Sequence, residues 1–337
     1  FFYSNPCARL SACFSFACAS IIFPTSTSVA VKMMRLLASA VAAQCGLAIR
    51  ITKTTSALSS CVQSLVASAV RSRSMCSSAP GAKERRLQVG ASTVHFVEAG
   101  DGNRGVILLP GALGTAWTDF KPQIEGLPAL LPHHRVIAWD PPGYGKSRPP
   151  DKQFTVDFYE RDAAAAGELM QKLGFQRYSV VGWSDGGITG LVLAAKQPER
   201  VEKLVVWGSN SYISDTEANI YEGIRDVSKW SARMREPMEQ VYGVEHFPKL
   251  WSAWVDGLLR IHHERKGDIC SGSLKHIKAP TLVVHGAKDP MIIPDHVPYL
   301  LNNIKNTDLH VFPDGKHNIH LRYANEFNAI VAKFLLA

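Results

Sequence analysis

Tyr178-Ser-Val-Val-Gly-Trp-Ser184-Asp-Gly-Gly-Ile-Thr189 is the stretch that decides the fold of this chain. It carries the pattern G-x-S-x-G between an apolar run typical of a strand and a helical pattern over residues 186–197. In that context the chain turns sharply from strand to helix, and the serine hydroxyl projects from the sheet at the amino end of the helix. Because the pentapeptide is common, this prediction depends on the strand and helix around it.

The alternation of apolar runs with helical patterns continues on both sides of Ser184. Residues 86–89 and 93–98 alternate in hydrophobicity around a Gly-Ala turn, which predicts a β-hairpin. Continuously apolar strands that alternate with helices predict an α/β fold, a mostly parallel central sheet with helices on both faces. The other predicted strands are residues 106–109, 135–139, 178–182, 201–207, 281–285 and 309–312, and the predicted helices are residues 155–173 (capped by Thr155), 186–197 and 321–336.

Residues 209–278 interrupt this alternation. The segment is helix-like, contains Trp230, Trp251 and Trp254, and lacks a strand of the type found elsewhere. Open parallel sheets bind ligands at the carboxyl ends of their strands, so we interpret the segment as an inserted helical cap that walls a pocket there. The alternative is a helical excursion whose tryptophans fill a core of their own.

Charge and cysteine content divide the chain at Glu84, the first acidic residue. The net charge is +8, and eight of the 37 Lys and Arg residues precede Glu84, so residues 84–337 are balanced in charge. That part therefore gives no reason to expect a nucleic-acid partner. Six of the seven cysteines also precede Glu84, and the remaining one, Cys270, has no partner for a disulfide within the domain.

Residues 1–83 are accordingly predicted to be a leader, and residues 84–337 a single domain. Residues 33–83 are rich in Ser, Ala and Arg, which is typical of a mitochondrial transit peptide and favours import into the matrix. A secretory signal is the alternative, because residues 36–49 are apolar and uncharged. No apolar run reaches the roughly 18 uncharged residues that a membrane span requires.

The sequence begins with Phe1 and offers several starts. We interpret residues 1–32 as upstream sequence, with the start at Met33 or Met34. A start at Met75 would instead produce a cytosolic form.

A serine hydroxyl is a weak nucleophile and needs a base, so Ser184 requires partners. In folds with this serine turn an acid and then a histidine follow along the chain. Asp289 follows the predicted strand at 281–285, and His317 follows the one at 309–312. We therefore predict Ser184 as nucleophile, His317 as general base and Asp289 as the acid that orients the histidine.

Other candidates for these two roles are weaker. Among the histidines, His285 and His310 lie within predicted strands, and His320 begins the last predicted helix. Asp314 is too close to His317 in sequence to be the first choice of acid. The alternative interpretation of Asp289 is a turn aspartate before a proline, which is common.

An acyl-transfer reaction also needs two backbone N–H donors for the oxyanion. One is predicted to be the N–H of Asp185, the residue after the nucleophile, and the other that of Ala112, in the loop after the strand at 106–109. The Asp185 carboxylate would oppose the developing negative charge, although the helix amino end favours anions. A cationic α-ammonium group on the substrate would offset that repulsion, so we predict that Asp185 binds a substrate amine. The alternative is a helix-terminal aspartate that does not contact substrate.

These residues resemble the α/β-hydrolase superfamily over roughly residues 86–337. The resemblance is carried by Trp139-Asp-Pro-Pro-Gly-Tyr-Gly-Lys-Ser-Arg-Pro-Pro-Asp151, by residues 182–189, and most specifically by Tyr221-Glu-Gly-Ile-Arg-Asp-Val-Ser-Lys-Trp-Ser231 in the predicted cap. Within the superfamily it implies a mitochondrial hydrolase of α-amino-acid esters.

The resemblance also implies residue roles. Its catalytic triad matches Ser184, Asp289 and His317, and Asp185 would hold the substrate amine. Two positions depart from the pattern: Pro142 stands where relatives often carry Arg, and Pro110 stands where His is common.

The same residues also bear on other functions. A dehalogenase or epoxide hydrolase of this fold would need Asp at position 184. A carbon–carbon bond hydrolase keeps the serine set but acts on an anionic dienoate, which Asp185 would repel; a general carboxylesterase and a catalytically silent binding module are further alternatives. The sequence shows no metal motif, and its Gly143-Tyr-Gly-Lys-Ser147 lacks the first glycine of a phosphate loop. We expect no cofactor, a small-molecule ester substrate, no membrane span and a monomer.

Overall fold

The computed structural model describes residues 81–337. An eight-stranded sheet in the order β1-β2-β4-β3-β5-β6-β7-β8 forms its centre. The strands are β1 (Lys83–Val89), β2 (Ser92–Ala99), β3 (Arg104–Leu109), β4 (His134–Trp139), β5 (Tyr178–Trp183), β6 (Val201–Trp207), β7 (Thr281–Gly286) and β8 (Thr307–Phe312). The helices are α1 (Ala116–Leu130), α2 (Phe158–Lys172), α3 (Asp185–Lys196), α4 (Asp215–Gly223), α5 (Ala232–Tyr242), α6 (His246–Glu264), α7 (His296–Asn303), α8 (Ile319–Arg322) and α9 (Ala324–Leu336).

The sheet is antiparallel only at one edge. The pairs β1–β2 and β2–β4 are antiparallel, and the pairs β4–β3, β3–β5, β5–β6, β6–β7 and β7–β8 are parallel. The predicted hairpin and the predicted mostly parallel α/β sheet are therefore confirmed. Since β5, β7 and β8 point the same way, the loops that follow them emerge at one edge.

Successive residues of the central strands pack on opposite faces of the sheet, as the pleat requires. Val180 of β5 belongs to the apolar core on one face, together with helices α2 and α3. Its neighbour Val181 belongs to the core on the other face, together with α1 and α9. Burial on both faces explains why these strands read as continuous apolar runs.

Two predicted helices differ from those observed. Helix α2 begins at Phe158, and Thr155 is not its cap: the Thr155 hydroxyl is 2.6 Å from Asp157 Oδ1, and its carbonyl accepts the Phe158 N–H in a preceding turn. The predicted closing helix is two helices, α8 and α9, because the chain leaves helical geometry at Tyr323.

The chain between β6 and β7 forms helices α4, α5 and α6. Trp230, Trp251 and Trp254 pack on one another, with ring centroids 4.7 and 4.5 Å apart. The first two therefore fill the cap's own core, whereas the Trp254 indole N–H reaches the residue after the serine. We call residues 209–278 the cap.

The predicted leader lies outside the described residues except for residues 81–83, and the predictions about it stay predictions. Within residues 81–337 no helix is both long enough and apolar enough to cross a bilayer.

Candidate active site

Ser184 sits on a sharp turn between β5 and α3. Its backbone has φ 54° and ψ −122°, which is a strained conformation for a residue with a side chain. The neighbouring glycines are needed because the chain passes close to itself: a Cβ on Gly182 would lie 2.4 Å from the Gly186 carbonyl oxygen. A Cβ on Gly186 would lie 2.0 Å from the Leu109 carbonyl oxygen. The predicted G-x-S-x-G turn is thus present in its strand–turn–helix context.

The structure brings the three predicted polar side chains together. His317 Nε2 is 3.2 Å from Ser184 Oγ, and His317 Nδ1 is 2.9 Å from Asp289 Oδ2. Both distances are within hydrogen-bonding range, so His317 Nε2 can accept the Ser184 hydroxyl proton while Asp289 holds Nδ1. The residues come from three loops at the carboxyl edge of the sheet.

The acid and histidine loops hold each other. Asp289 Oδ1 accepts the N–H of Met291 at 2.8 Å, which leaves Oδ2 for the histidine. The Lys288 N–H donates to the Gly315 carbonyl at 2.8 Å, and this bond ties the two loops together. Because the Asp289 side chain is only 2% exposed, its bond to His317 is protected from competing water.

Trp183, in the G-x-S-x-G turn, also holds His317 in place. The Trp183 indole N–H donates to the His317 carbonyl at 3.0 Å, and the two rings lie 5.4 Å apart. Gly208 has no room for a side chain, since a Cβ there would lie 2.8 Å from His317 Cε1. The imidazole is therefore confined between β5, β6 and its own loop.

Within residues 81–337, none of the weaker candidates forms a hydrogen bond with Ser184, whereas His317 does. His310 and His285 are in strands β8 and β7. Burial lowers the pKa of His320 to about 3, and its Nδ1 accepts the Trp207 indole N–H at 3.1 Å. Asp314 is exposed and pairs with Lys288.

The loop after β3 lies directly beside the serine. We call residues 110–114 the oxyanion loop; a Cβ on its Gly111 would lie 3.4 Å from Ser184 Cβ. Gly111 donates its own N–H to Asp119 Oδ2 at 2.9 Å, and Pro110 has none to donate. Within residues 81–337, the N–H groups of Ala112 and Asp185 have no protein acceptor, which leaves both for a ligand.

Asp119 was missed by the sequence analysis. It is a buried residue of helix α1. Its carboxylate accepts the Gly111 N–H and the Thr118 hydroxyl (2.8 Å). Burial, assisted by Asp140, raises the pKa of Asp119 to about 7. No motif marks it, because its contact depends on the path of the oxyanion loop.

The Asp185 carboxylate is buried beneath the cap. Its Oδ1 accepts the Tyr159 hydroxyl at 2.9 Å, and its Oδ2 accepts the Trp254 indole N–H at 2.7 Å. Burial raises the pKa of Asp185 to about 6 and outweighs these two hydrogen bonds. Both donors are neutral, so the ionised carboxylate keeps a negative charge that neither of them cancels.

The cation that acts on the Asp185 carboxylate, Lys152, is already paired with another acid. Lys152 Nζ lies 2.5 Å from Asp162 Oδ1, and both side chains are almost fully buried. Two acidic residues of the cap are also engaged elsewhere, Glu222 with Arg225 and Asp226 with Ser228. Among residues 81–337 no three His, Cys, Asp or Glu side chains form a cluster suited to a metal ion.

The fold and this geometry define the class of protein. A family profile described as alpha/beta hydrolase fold matches residues 105–243. The chain belongs to the α/β-hydrolase family and is a serine hydrolase of that fold, as the resemblance of its motifs implied.

The chain is similar to particular serine hydrolases in sequence and to further hydrolases in fold. The human protein named serine hydrolase BPHL is 47% identical over 250 residues, which cover 74% of this chain and 85% of the relative. Its mouse counterpart is 46% identical over the same shares of both chains. A solved structure of 2-hydroxy-6-oxo-6-phenylhexa-2,4-dienoate hydrolase from Rhodococcus sp. strain RHA1 has a TM-score of 0.62 at 20% identity and covers 76% of this chain and 99% of that one. The last similarity is one of fold alone.

Proposed function

We propose that this serine hydrolase cleaves carboxylic esters, with a preference for esters of α-amino acids, through an acyl-enzyme formed on Ser184. One observation carries the proposal. The hydrogen-bonded triad of Ser184, His317 and Asp289 lies beside the buried carboxylate of Asp185, the residue that follows Ser184. The triad supplies the hydrolytic chemistry, and the carboxylate supplies the selectivity.

Acylation begins when Ser184 Oγ attacks the ester carbonyl and His317 Nε2 takes its proton. Asp289 keeps the Nδ1 proton in place and stabilises the imidazolium that forms. The carbonyl oxygen becomes an oxyanion, which accepts the N–H groups of Ala112 and Asp185. The imidazolium then protonates the departing alcohol.

Deacylation repeats these steps with water. His317 removes a proton from the water, the resulting hydroxide attacks the acyl carbonyl, and Ser184 leaves with the proton from the imidazolium. The products are the free acid and the resting enzyme.

The preference for an amine follows from the charge near the serine. An ionised Asp185 raises the energy of the oxyanion, because both are negative. A substrate α-ammonium group about 4 Å from the carboxylate would be attracted by roughly 4 kcal/mol at an effective dielectric of 20, before desolvation. Lys152 does not supply this charge, since Asp162 already pairs with it.

The same argument ranks the alternatives. A carbon–carbon bond hydrolase acts on an anionic dienoate, which Asp185 would repel. A general carboxylesterase would gain nothing from a buried carboxylate beside its oxyanion. A silent binding module would not need the Ser184–His317 contact of 3.2 Å.

Active-site labelling tests the chemical part of the proposal. A fluorophosphonate probe should label the full chain at Ser184 and abolish its hydrolysis of an aminoacyl ester, and Ser184→Ala should not be labelled. Label that persists in Ser184→Ala would show that another residue is the nucleophile.

The proposed location is the mitochondrial matrix, on the composition of residues 33–83. A reporter fused to these residues should enter mitochondria and lose the leader after Arg71. Secretion of the reporter would instead support the signal-peptide alternative, and a cytosolic reporter would support the start at Met75.

A further inference from the structure

We infer that Tyr242, a residue of the cap, is a positioning residue for the oxyanion loop. Its hydroxyl would hold the loop in the shape that presents the Ala112 N–H to the reacting carbonyl oxygen. The inference rests on the proposed function, because it assumes that this N–H stabilises the oxyanion.

The contact joins two distant parts of the chain. Tyr242 is the last residue of α5, and its hydroxyl donates to the Leu113 carbonyl at 2.6 Å. The Tyr242 hydroxyl oxygen also accepts the Gly145 N–H at 3.2 Å. Since Gly145 occupies the acceptor side of the hydroxyl, its proton is directed at Leu113.

The Leu113 backbone needs such support. Leu113 has φ 57°, in the left-handed region that residues with a Cβ avoid, and its side chain is fully buried. A backbone held there stores strain that its surroundings must compensate. The Tyr242 bond to the Leu113 carbonyl is one compensation, and it comes from the cap.

The oxyanion loop is therefore held at both ends of Ala112. On one side the Gly111 N–H is bound by Asp119, and on the other the Leu113 carbonyl is bound by Tyr242. Within the loop, the Gly114 N–H donates to the Gly111 carbonyl at 3.0 Å. Ala112 lies between these attachments, and its own N–H has no protein acceptor among residues 81–337.

The hydroxyl is suited to a permanent donor role. Tyr242 is buried, which raises its pKa far above the ordinary value and keeps the proton on the oxygen. Arg148 lies over the ring, 5.1 Å from its centroid, so the ring has packing that does not depend on the hydroxyl. Replacement by Phe should therefore remove the hydrogen bond and leave the ring in place.

The test compares an oxoester with the matching thionoester, in which sulfur replaces the carbonyl oxygen. Sulfur is a poor hydrogen-bond acceptor, so the thionoester gains little from the oxyanion donors. In the full-length enzyme, Tyr242→Phe should lower kcat for the L-valyl oxoester about tenfold, with KM nearly unchanged and little change on the thionoester. The ratio of the oxoester rate to the thionoester rate should therefore fall about tenfold.

A matched control removes another buried tyrosine hydroxyl. Tyr178 begins β5, far along the strand from Ser184, and its hydroxyl is 3.3 Å from Gln197 Oε1. Tyr178→Phe should keep the wild-type ratio. Both substrates are measured on one preparation and their rates are expressed per fluorophosphonate-titrated site, so unfolded molecules change neither the rates nor their ratio.

Equal losses on the two esters, or no loss, would overturn the inference while the proposed function stands. If the wild-type enzyme itself hydrolyses oxoester and thionoester equally well, the oxyanion donors of the proposed function fail, and the inference fails with them. A fall in the ratio that is confined to Tyr242→Phe supports the inference.

Discussion

Trp254, on the cap, donates its indole N–H to Asp185, the residue next to the serine, over 2.7 Å. The cap thus contacts the carboxylate that we propose to recognise the substrate amine. Because a hydrogen bond to the ionised form favours ionisation, this contact opposes the effect of burial on the pKa of Asp185.

Replacing that donor should move the pH dependence of selectivity. We expect Trp254→Phe to raise the pKa of Asp185 and shift the acidic limb of amino-ester selectivity to higher pH. The matched control is Trp251→Phe, since Trp251 donates to the Ile224 carbonyl at 2.9 Å and not to Asp185. An unshifted limb in Trp254→Phe, or the same shift in Trp251→Phe, would contradict the role of this hydrogen bond.

In the wild type, selectivity should depend on pH in a defined direction. Burial raises the pKa of Asp185 to about 6, so the carboxylate becomes neutral as the pH falls through that value. The ratio of kcat/KM for an aminoacyl ester to that for an acyl ester without the amine should therefore decline below about pH 6. It should also decline above roughly pH 8, where an α-amino group loses its proton. Both esters use the same Ser184–His317 chemistry, so their ratio reports on the recognition of the amine; a flat ratio from pH 4.5 to 7 would exclude an ionised Asp185 as the cause.

The free energy of unfolding should also depend on the ionisation of Asp185, but it should fall as the pH rises, whereas selectivity increases. The folded-state pKa of Asp185 is raised, so between about pH 4 and pH 6 the native protein holds a proton that the unfolded chain has released. The free energy of unfolding is thus lowered as the pH rises through this window. Relative to wild type, Asp185→Asn should gain about 3 kcal/mol between pH 4 and pH 7 in urea unfolding.

An exposed aspartate provides the control of opposite sign. A hydrogen bond from Ser228 lowers the pKa of Asp226, so Asp226→Asn should lose stability relative to wild type as the pH rises. If the two variants have the same pH dependence, the carboxylate of Asp185 is not held in the buried environment described above.

Two substitutions test whether Asp289 is the acid that orients His317. Asp289→Asn should lower kcat by roughly 10⁴-fold, because the amide cannot keep His317 in the required tautomer. Asp314→Asn should have wild-type turnover, since Asp314 is exposed and pairs with Lys288. Wild-type kcat in Asp289→Asn would mean that a different group orients the histidine.

Much of the fold and of the central site could be predicted because the signals are local. Apolar runs marked β5, β7 and β8, and the order of Ser184, Asp289 and His317 along the chain followed from the loops after those strands. The structure brings the three together at 2.9 and 3.2 Å.

Features that depend on distant contacts or on helix breakers were missed. Helix α1 contains Pro122 and Pro128, which hid its pattern; the backbone at Phe120, where φ is −120°, kinks the helix there. Helix α7 was missed as well. The contacts of Tyr242 with Leu113 and of Trp254 with Asp185 span 129 and 69 residues, and no local pattern encodes them.

The most direct test of the account compares two esters of one alcohol, L-valyl and 3-methylbutanoyl, which differ only in the α-amine. At pH 7 the wild-type enzyme should have at least about tenfold higher kcat/KM for the valyl ester. Asp185→Asn should lower the valyl value roughly 10- to 100-fold, and leave the other unchanged or higher, because a charged hydrogen bond contributes about 1.5–3 kcal/mol. A wild-type ratio of one or less, or a ratio that Asp185→Asn does not change, would contradict the claim that Asp185 selects amino-acid esters.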